Sequence, residues 1–295
     1  LVTAILTADI HLWDNPPSTR IDDFLVAQER KLKFLKELQA KYKCPVIDAG
    51  DVFNGWKASP WVTLLAYHLL PTPFITVPGN HDLPEHSMKL YEKSSLALLE
   101  KVRKGVAVLS SGGEACLQGY TVAGFAYGEK LGRVDGDIVI IHDLVYPTGK
   151  PPWPGAEGYE ARKLFELFPH AKLILTGHNH TAFVEEHEGR LLVNPGSMMR
   201  LSIDKADYKP RCYLYYGKQN RVRAVYYPIE QGVFDLTHRA AMEERKKRME
   251  AYIERMNMGV GWGVQFSFRA NLEQFFKENK IPRLVREVIW KHLES

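Results

Sequence analysis

Apolar positions along the first hundred residues follow two rhythms. Compact apolar runs at 2–8, 45–48 and 74–77 alternate with longer stretches in which apolar residues recur every three or four positions. The runs predict buried strands, and the longer stretches predict amphipathic helices over 21–42, near 60–70 and over 88–103. Phe24, Leu25, Leu32, Leu35, Leu38 and Tyr42 fall near one face of the first helix, and Leu90, Leu96, Leu98, Leu99 and Val102 mark the last. This strand–helix alternation predicts βαβ units and a mostly buried parallel sheet.

Beyond residue 105 the rhythm shortens. Segments 106–109, 115–117, 120–123 and 137–141 read as short strands between Gly-containing turns. A Pro/Gly-rich loop spans 146–157, followed by a helix near 158–168 and a strand over 172–176. Hairpins are predicted over 181–194, turning at Glu188-Gly189, and over 211–227, turning near 217–220. The expected fold class is therefore α/β, four-layered, with two mixed sheets in a sandwich flanked by helices. A boundary near Gln231-Gly232 separates a main domain, 1–230, from a helical C-terminal segment, 231–295. That segment opens with a charged helix over 237–256, carrying Met242, Met249, Tyr252 and Met256 at heptad-like spacing. Further helices are predicted around Leu272, Phe275 and Phe276 and from Pro282 onward.

Composition changes this picture little. With 45% hydrophobic and 25% charged residues the chain can bury an ordinary core. The apolar stretch from Trp61 to Val77 is broken by His68, Pro71 and Pro73, so no membrane span is expected. Residues 2–8 lack a basic leader and read as a first strand instead of a signal peptide. Three cysteines, Cys44, Cys116 and Cys212, without a CxxC pair, predict buried thiols in a reducing, cytoplasmic setting. The net charge of +4 lies wholly in residues 236–295, which hold 12 Lys and Arg against 8 Asp and Glu. A basic tail on a neutral body fits contact with nucleic acid or an acidic partner, and equally a solvated helix face.

The chemistry is concentrated in five short stretches, each directly after a predicted strand: Asp9-Ile10-His11, Gly50-Asp51, Gly79-Asn80-His81-Asp82, Ile141-His142 and Gly177-His178-Asn179-His180. Open α/β folds place ligands at such strand ends. Two carboxylates, an amide oxygen and four imidazoles form a nitrogen–oxygen donor set without thiolate, which suits Mn, Fe or Zn. Asp51 is the natural bridge between paired cations, since a carboxylate can offer one oxygen to each. Each motif alone is weak. Together they take in five of the eleven histidines, and the remainder, including His86, read as ordinary core or surface residues.

In this order the blocks resemble the calcineurin-like metallophosphoesterases over residues 1 to about 200. The resemblance implies two divalent metals, with manganese expected and Fe, Zn or Mg as alternatives. Asp9, His11 and His180 would bind one, Asn80, His142 and His178 the other, and Asp51 would bridge them. His81 would steady the phosphate or protonate the leaving oxygen, and Asp82 would orient its imidazole. Local features are similar to the SbcD-type DNA repair nucleases: Leu12, Arg20, Asp23 and Ala27-Gln28-Glu29, then Gly50-Asp51-Val52-Phe53, then Asn194-Pro195-Gly196-Ser197. That likeness implies a DNA exonuclease or endonuclease using metal-activated water. It also implies a homodimer through the helices over 21–42 or 88–103, and an SMC-like coiled-coil ATPase of SbcC type held by the C-terminal helices. The alternative is a hydrolase of small nucleotides or other small phosphoesters. Trp56, Lys57, Trp153 and Arg200, near the motif loops, are further candidates for substrate contact.

Overall fold

A computed structural model describes residues 1–152 and 156–235, with positions 275–277, 279, 281, 282, 285 and 286 of the C-terminal segment. Trp153 and the helix expected over 237–256 lie outside the described residues. The chain divides into two compact units, Leu1–Leu236 and Thr237–Ser295.

The first unit begins with β1 (Ala4–Thr7), buried along its whole length. Helix α1 (Phe24–Tyr42) starts where the Asp23 carboxylate accepts the Val26 N–H at 3.0 Å, satisfying an amide that the helix cannot. It buries Phe24, Leu32, Leu35 and Leu38, the stripe its periodicity predicts. β2 (Val46–Asp48), α2 (Pro60–Leu69) and β3 (Phe74–Thr76) follow. The helix expected over 88–103 is interrupted. Met88–Lys93 is 3-10, and α3 (Ser95–Val102) begins only after Ser94, whose hydroxyl accepts the Ala97 N–H at 3.0 Å. A serine that captures a backbone amide three residues on starts a helix instead of continuing one.

β4 (Val106–Val108), β5 (Gly113–Leu117), β6 (Tyr120–Phe125) and β7 (Ile138–Ile141) come next. A small parallel pair that the sequence pattern does not announce, β8 (Val145–Tyr146) and β9 (Tyr159–Glu160), precedes α4 (Ala161–Leu167) and β10 (Leu173–Thr176). β11 (Phe183–His187) and β12 (Arg190–Asn194) form the first hairpin, with Glu188 and Gly189 at φ 52° and 73°. β13 (Arg211–Tyr216) and β14 (Arg221–Tyr226) form the second. Two six-stranded sheets result, in the orders β14-β13-β1-β2-β3-β4 and β11-β12-β10-β7-β6-β5. β1 to β4 run parallel, as do β6, β7, β10 and β12, while β13, β5 and β11 pair antiparallel beside them.

The period of two in the strands explains the layering. Ala4, Leu6, Ile47 and Ile75 of one sheet meet Val122, Ile138, Ile140, Leu173 and Val193 of the other. Ile5, Val46 and Phe74 face the opposite way and pack on Leu32, Leu35, Val62, Leu65, Leu96 and Leu99 of α1, α2 and α3. Val139, Ile141 and Ile174 pack on Leu164 and Phe165 of α4. Each fully buried Leu, Ile or Phe contributes roughly 1.5–3 kcal/mol, and these layers hold the domain together without a disulfide. All three cysteines are free, and Cys116 is exposed, against the expectation of a buried thiol. Among the described residues no helix is long and apolar enough to cross a membrane.

One buried cation is unusual. Lys31 is 4% exposed and its ammonium donates to the Met198 carbonyl at 2.6 Å. Burial, reinforced by Arg20 and Arg200, lowers its pKa to about 7. The unfolded chain therefore holds a proton that the folded chain lacks between pH 7 and 10.5, so stability should rise with pH across that window. Lys31→Met should remove about 1.4 kcal/mol per pH unit from the slope. Urea unfolding of both proteins at pH 7, 8 and 9 measures it, and equal slopes would show that Lys31 titrates normally when folded.

Candidate metal centre

The ligand-type side chains all sit just beyond the C-terminal ends of parallel strands: Asp9 and His11 after β1, Asp51 after β2, Asn80 after β3, His142 after β7, and His178 and His180 after β10. Parallel strands release their loops at one edge, so remote positions converge there. The loops are stitched by backbone bonds, His11 N–H to the Asp51 carbonyl at 2.9 Å and Met198 N–H to that of Asp9 at 3.0 Å. Asp9, His11, Asp51 and His178 all adopt the left-handed region, at φ 50°, 51°, 56° and 67°. For residues with a side chain that costs roughly 1–2 kcal/mol each. The packed sheets below hold this strain in place.

Two glycines make the room. A Cβ on Gly79 would lie 2.0 Å from Asp51 Oδ1, and one on Gly177 would lie 2.4 Å from the Ala49 carbonyl. Neither has a left-handed backbone; they are glycines because nothing larger fits.

All seven predicted ligand residues come together. Asp9, His11 and His180 form one group and Asp51, His142 and His178 another, the ligand atoms within each lying inside 4.8 Å of one another. The Asn80 side-chain oxygen faces His142 Nε2 at 3.2 Å and His178 Nδ1 at 2.8 Å. Asp51 stands between the groups. One of its oxygens accepts the His81 N–H at 2.8 Å, and the other lies 3.7 Å from His11 Nε2 and 3.4 Å from His142 Nε2. Two features fit a divalent cation. Asp9 Oδ2 is buried without a hydrogen-bond partner, and the Nε2 atoms of His11 and His180 face each other at 3.0 Å. The imidazole pair can share a proton as a hydrogen bond, but an orphaned buried carboxylate oxygen is costly for the protein alone, and a positive ion would relieve it and use the imidazole nitrogens beside it as donors.

Three of the four imidazoles suit such an ion as they stand, whereas His142, despite its burial, is raised to about 10 by the Asp51 carboxylate and would have to give up that proton to a cation. Burial lowers the pKa of His11 to about 3 and those of His178 and His180 to about 4, so their lone pairs are free at neutral pH. Burial raises the carboxyl of Asp9 to about 7. Burial also opposes ionisation of Asp51, but the protonated His142 imidazolium outweighs it and holds that carboxyl below the usual range. His142 donates its Nδ1–H to the Ala49 carbonyl at 2.6 Å, which turns Nε2 toward Asp51 and Asn80.

His81 lies beside this cluster, its ring 4.9 Å from that of His11 and edge-on to it. The expected orienting role of Asp82 is not what the structure shows. His81 Nδ1 faces the Asn54 carbonyl at 3.0 Å, whereas the Asp82 carboxylate accepts the backbone N–H groups of Val52, Phe53 and Gly79 at 3.2, 2.9 and 3.0 Å. Asp82 is fully buried and ties the loop after β2 to the loop after β3. Arg200 is likewise no substrate contact: it is 5% exposed and donates to the Ala206 and Glu230 carbonyls. Trp56 and Lys57 are exposed, and Lys57 lines a cavity of about 330 Å³ with Trp13 and Asn15. Two residues that the sequence did not single out stand at the rim. Tyr127 packs its ring 5.5 Å from that of His178, and His86 lies 6.0 Å from Tyr127.

The architecture is similar to that of the TT1561 protein of Thermus thermophilus, at a TM-score of 0.50 and 15% identity over 77% of this chain and 99% of that one. An archaeal phosphodiesterase gives a TM-score of 0.42 and 15% identity over 76% and 98% of the two chains. A 5'-nucleotidase assigned in Staphylococcus aureus gives 0.46 and 11% over 79% and 54%. No curated protein matches the sequence significantly. The sequence model of the calcineurin-like phosphoesterases matches residues 2–182, from the first strand through the last metal-type histidine, and the chain belongs to that family.

Proposed function

We propose that the chain is a manganese-dependent phosphodiesterase acting on DNA, of the SbcD type. The observation that carries hydrolysis is Asp51, one oxygen tied to the backbone and the other within 3.7 Å of both His11 and His142. Cations held by Asp9, His11 and His180, and by Asn80, His142 and His178, with Asp51 between, would supply Lewis acidity and neutralise phosphoryl charge. The protein's own groups orient the reaction. His81, fixed through Nδ1 on the Asn54 carbonyl, offers its other nitrogen to the phosphate or to the departing sugar oxygen. Asp82 keeps the two loops at the spacing that puts His81 beside Asp51.

The DNA assignment is supported by the charge excess of +4 in residues 236–295 and by the run of SbcD-like motifs. A second reading, hydrolysis of small nucleotides, draws support from the balanced charge of the first 235 residues. Incubation with Mn, Mg or Zn and linear duplex, single-stranded or circular DNA, beside an aryl phosphodiester, separates them. Metal-dependent cleavage of DNA is expected; cleavage of the aryl ester alone selects the second reading. His81→Ala should keep bound metal while kcat falls by about 10²–10⁴, and undiminished turnover would remove His81 from the mechanism. Residues 237–295 are the proposed seat for a coiled-coil ATPase, and deleting them should abolish co-purification.

A further inference from the structure

Tyr127 and His86 stand against the half of the centre that His81 does not touch. His81 packs on His11, whereas the Tyr127 ring is tilted 36° to His178 at 5.5 Å and lies 6.3 Å from His142. His86 meets Tyr127 at an interplanar angle of 64°. The two rings thus make an angled corner, with Tyr127 half-buried and His86 exposed. Both are held from behind. Tyr127 N–H donates to the Pro78 carbonyl at 2.9 Å, and His86 Nδ1 donates to the Asn80 carbonyl at 2.9 Å. Pro78 and Asn80 flank the glycine that makes room for Asp51, so the corner is fixed to the ligand loop itself.

The backbone under His86 is strained. Glu85 and His86 are consecutive left-handed residues, at φ 51° and 53°, and neither is glycine. Two such residues in succession cost on the order of several kcal/mol in sum. Tyr127 is only half-buried, which leaves part of its side chain open to solvent beside His178.

We infer that the Tyr127–His86 corner binds the flat base of the nucleoside that stays on the phosphate, opposite the leaving group served by His81. Aromatic side chains stack on any base without reading its edge, which suits a phosphodiesterase that accepts varied sequence. This assignment rests on the phosphodiesterase reading and narrows its substrates to nucleoside-bearing esters. Both residues act by positioning.

Two esters with the same 4-nitrophenolate leaving group isolate the effect: thymidine 5'-(4-nitrophenyl phosphate) and methyl 4-nitrophenyl phosphate. Wild-type protein with Mn should prefer the nucleoside ester in kcat/KM by on the order of tenfold or more. Tyr127→Ala should collapse that ratio, through KM for the nucleoside ester, and Tyr127→Phe should keep it. His86→Ala, a surface change, should lower the ratio by a smaller factor and guards against misfolding of the first variant. A ratio that stays constant while both rates fall would reduce Tyr127 to a support for His178 and overturn the inference. Hydrolysis of neither ester by wild-type protein would bring down the phosphodiesterase reading itself, a result distinct from the corner failing alone.

Discussion

Asp51→Asn should lower phosphodiester turnover by about a thousandfold or more and remove at least one divalent cation per chain. The substitution is close to isosteric. Its amide can still accept the His81 N–H that Asp51 Oδ1 receives at 2.8 Å, so the loops should hold their places. What disappears is negative charge between His11 and His142, at the oxygen that lies 3.7 and 3.4 Å from their Nε2 atoms. Losing several kcal/mol of charge stabilisation, at about 1.4 kcal/mol per tenfold in rate, gives that order of loss. Elemental analysis of gel-filtered protein and steady-state rates with an aryl phosphodiester measure both quantities. A variant that kept two ions and its turnover would show that Asp51 does not join the two groups.

Asp82→Ala should instead unfold the protein more readily, by about 4 kcal/mol, because its carboxylate satisfies three buried N–H groups, those of Val52, Phe53 and Gly79. A buried donor left without a partner costs roughly 1–3 kcal/mol, and the sum is reduced where the loop can admit water. The urea midpoint should fall at constant slope. Asp82→Asn, which keeps one acceptor oxygen but turns an amide toward a donor, should fall between. An unchanged midpoint with depressed kcat would restore Asp82 to the chemistry and contradict the brace.

These two aspartates show how far the sequence could be read. The convergence of the seven proposed ligand residues was legible because each follows an apolar run, and parallel strands deliver such positions to one edge regardless of loop detail. The pairing of Asp82 with His81 came from adjacency in the chain, and adjacency misleads in a tight turn. There His81 N–H reaches Asp51 while the next carboxylate turns back into the loop behind it. Tyr127 and His86 escaped because their approach depends on the path of the loop after β6 and on a left-handed turn at Glu85, and neither leaves a periodic mark. Ser94, by contrast, carried a readable helix-start signal within the stretch read as one continuous helix. Arg200 looked like a phosphate contact from its place near a motif, and only its burial under the Ala206 and Glu230 carbonyls shows otherwise.

The order of strands also bears on how the protein is made. A chain ending at residue 182 would contain every metal-type residue and the whole matched stretch. It would lack β13, which lies beside β1, and β12, which lies beside β10. Both strands would then stand as bare sheet margins, a template for joining another chain. On the ribosome, Asp9 and His11 emerge before the other four motifs, but β1, which carries them, gains its last neighbouring strand only after Tyr216 has been added. Until then the open side of β1 has no partner, so a strand made late in this unit closes the one that carries the first of the five motifs.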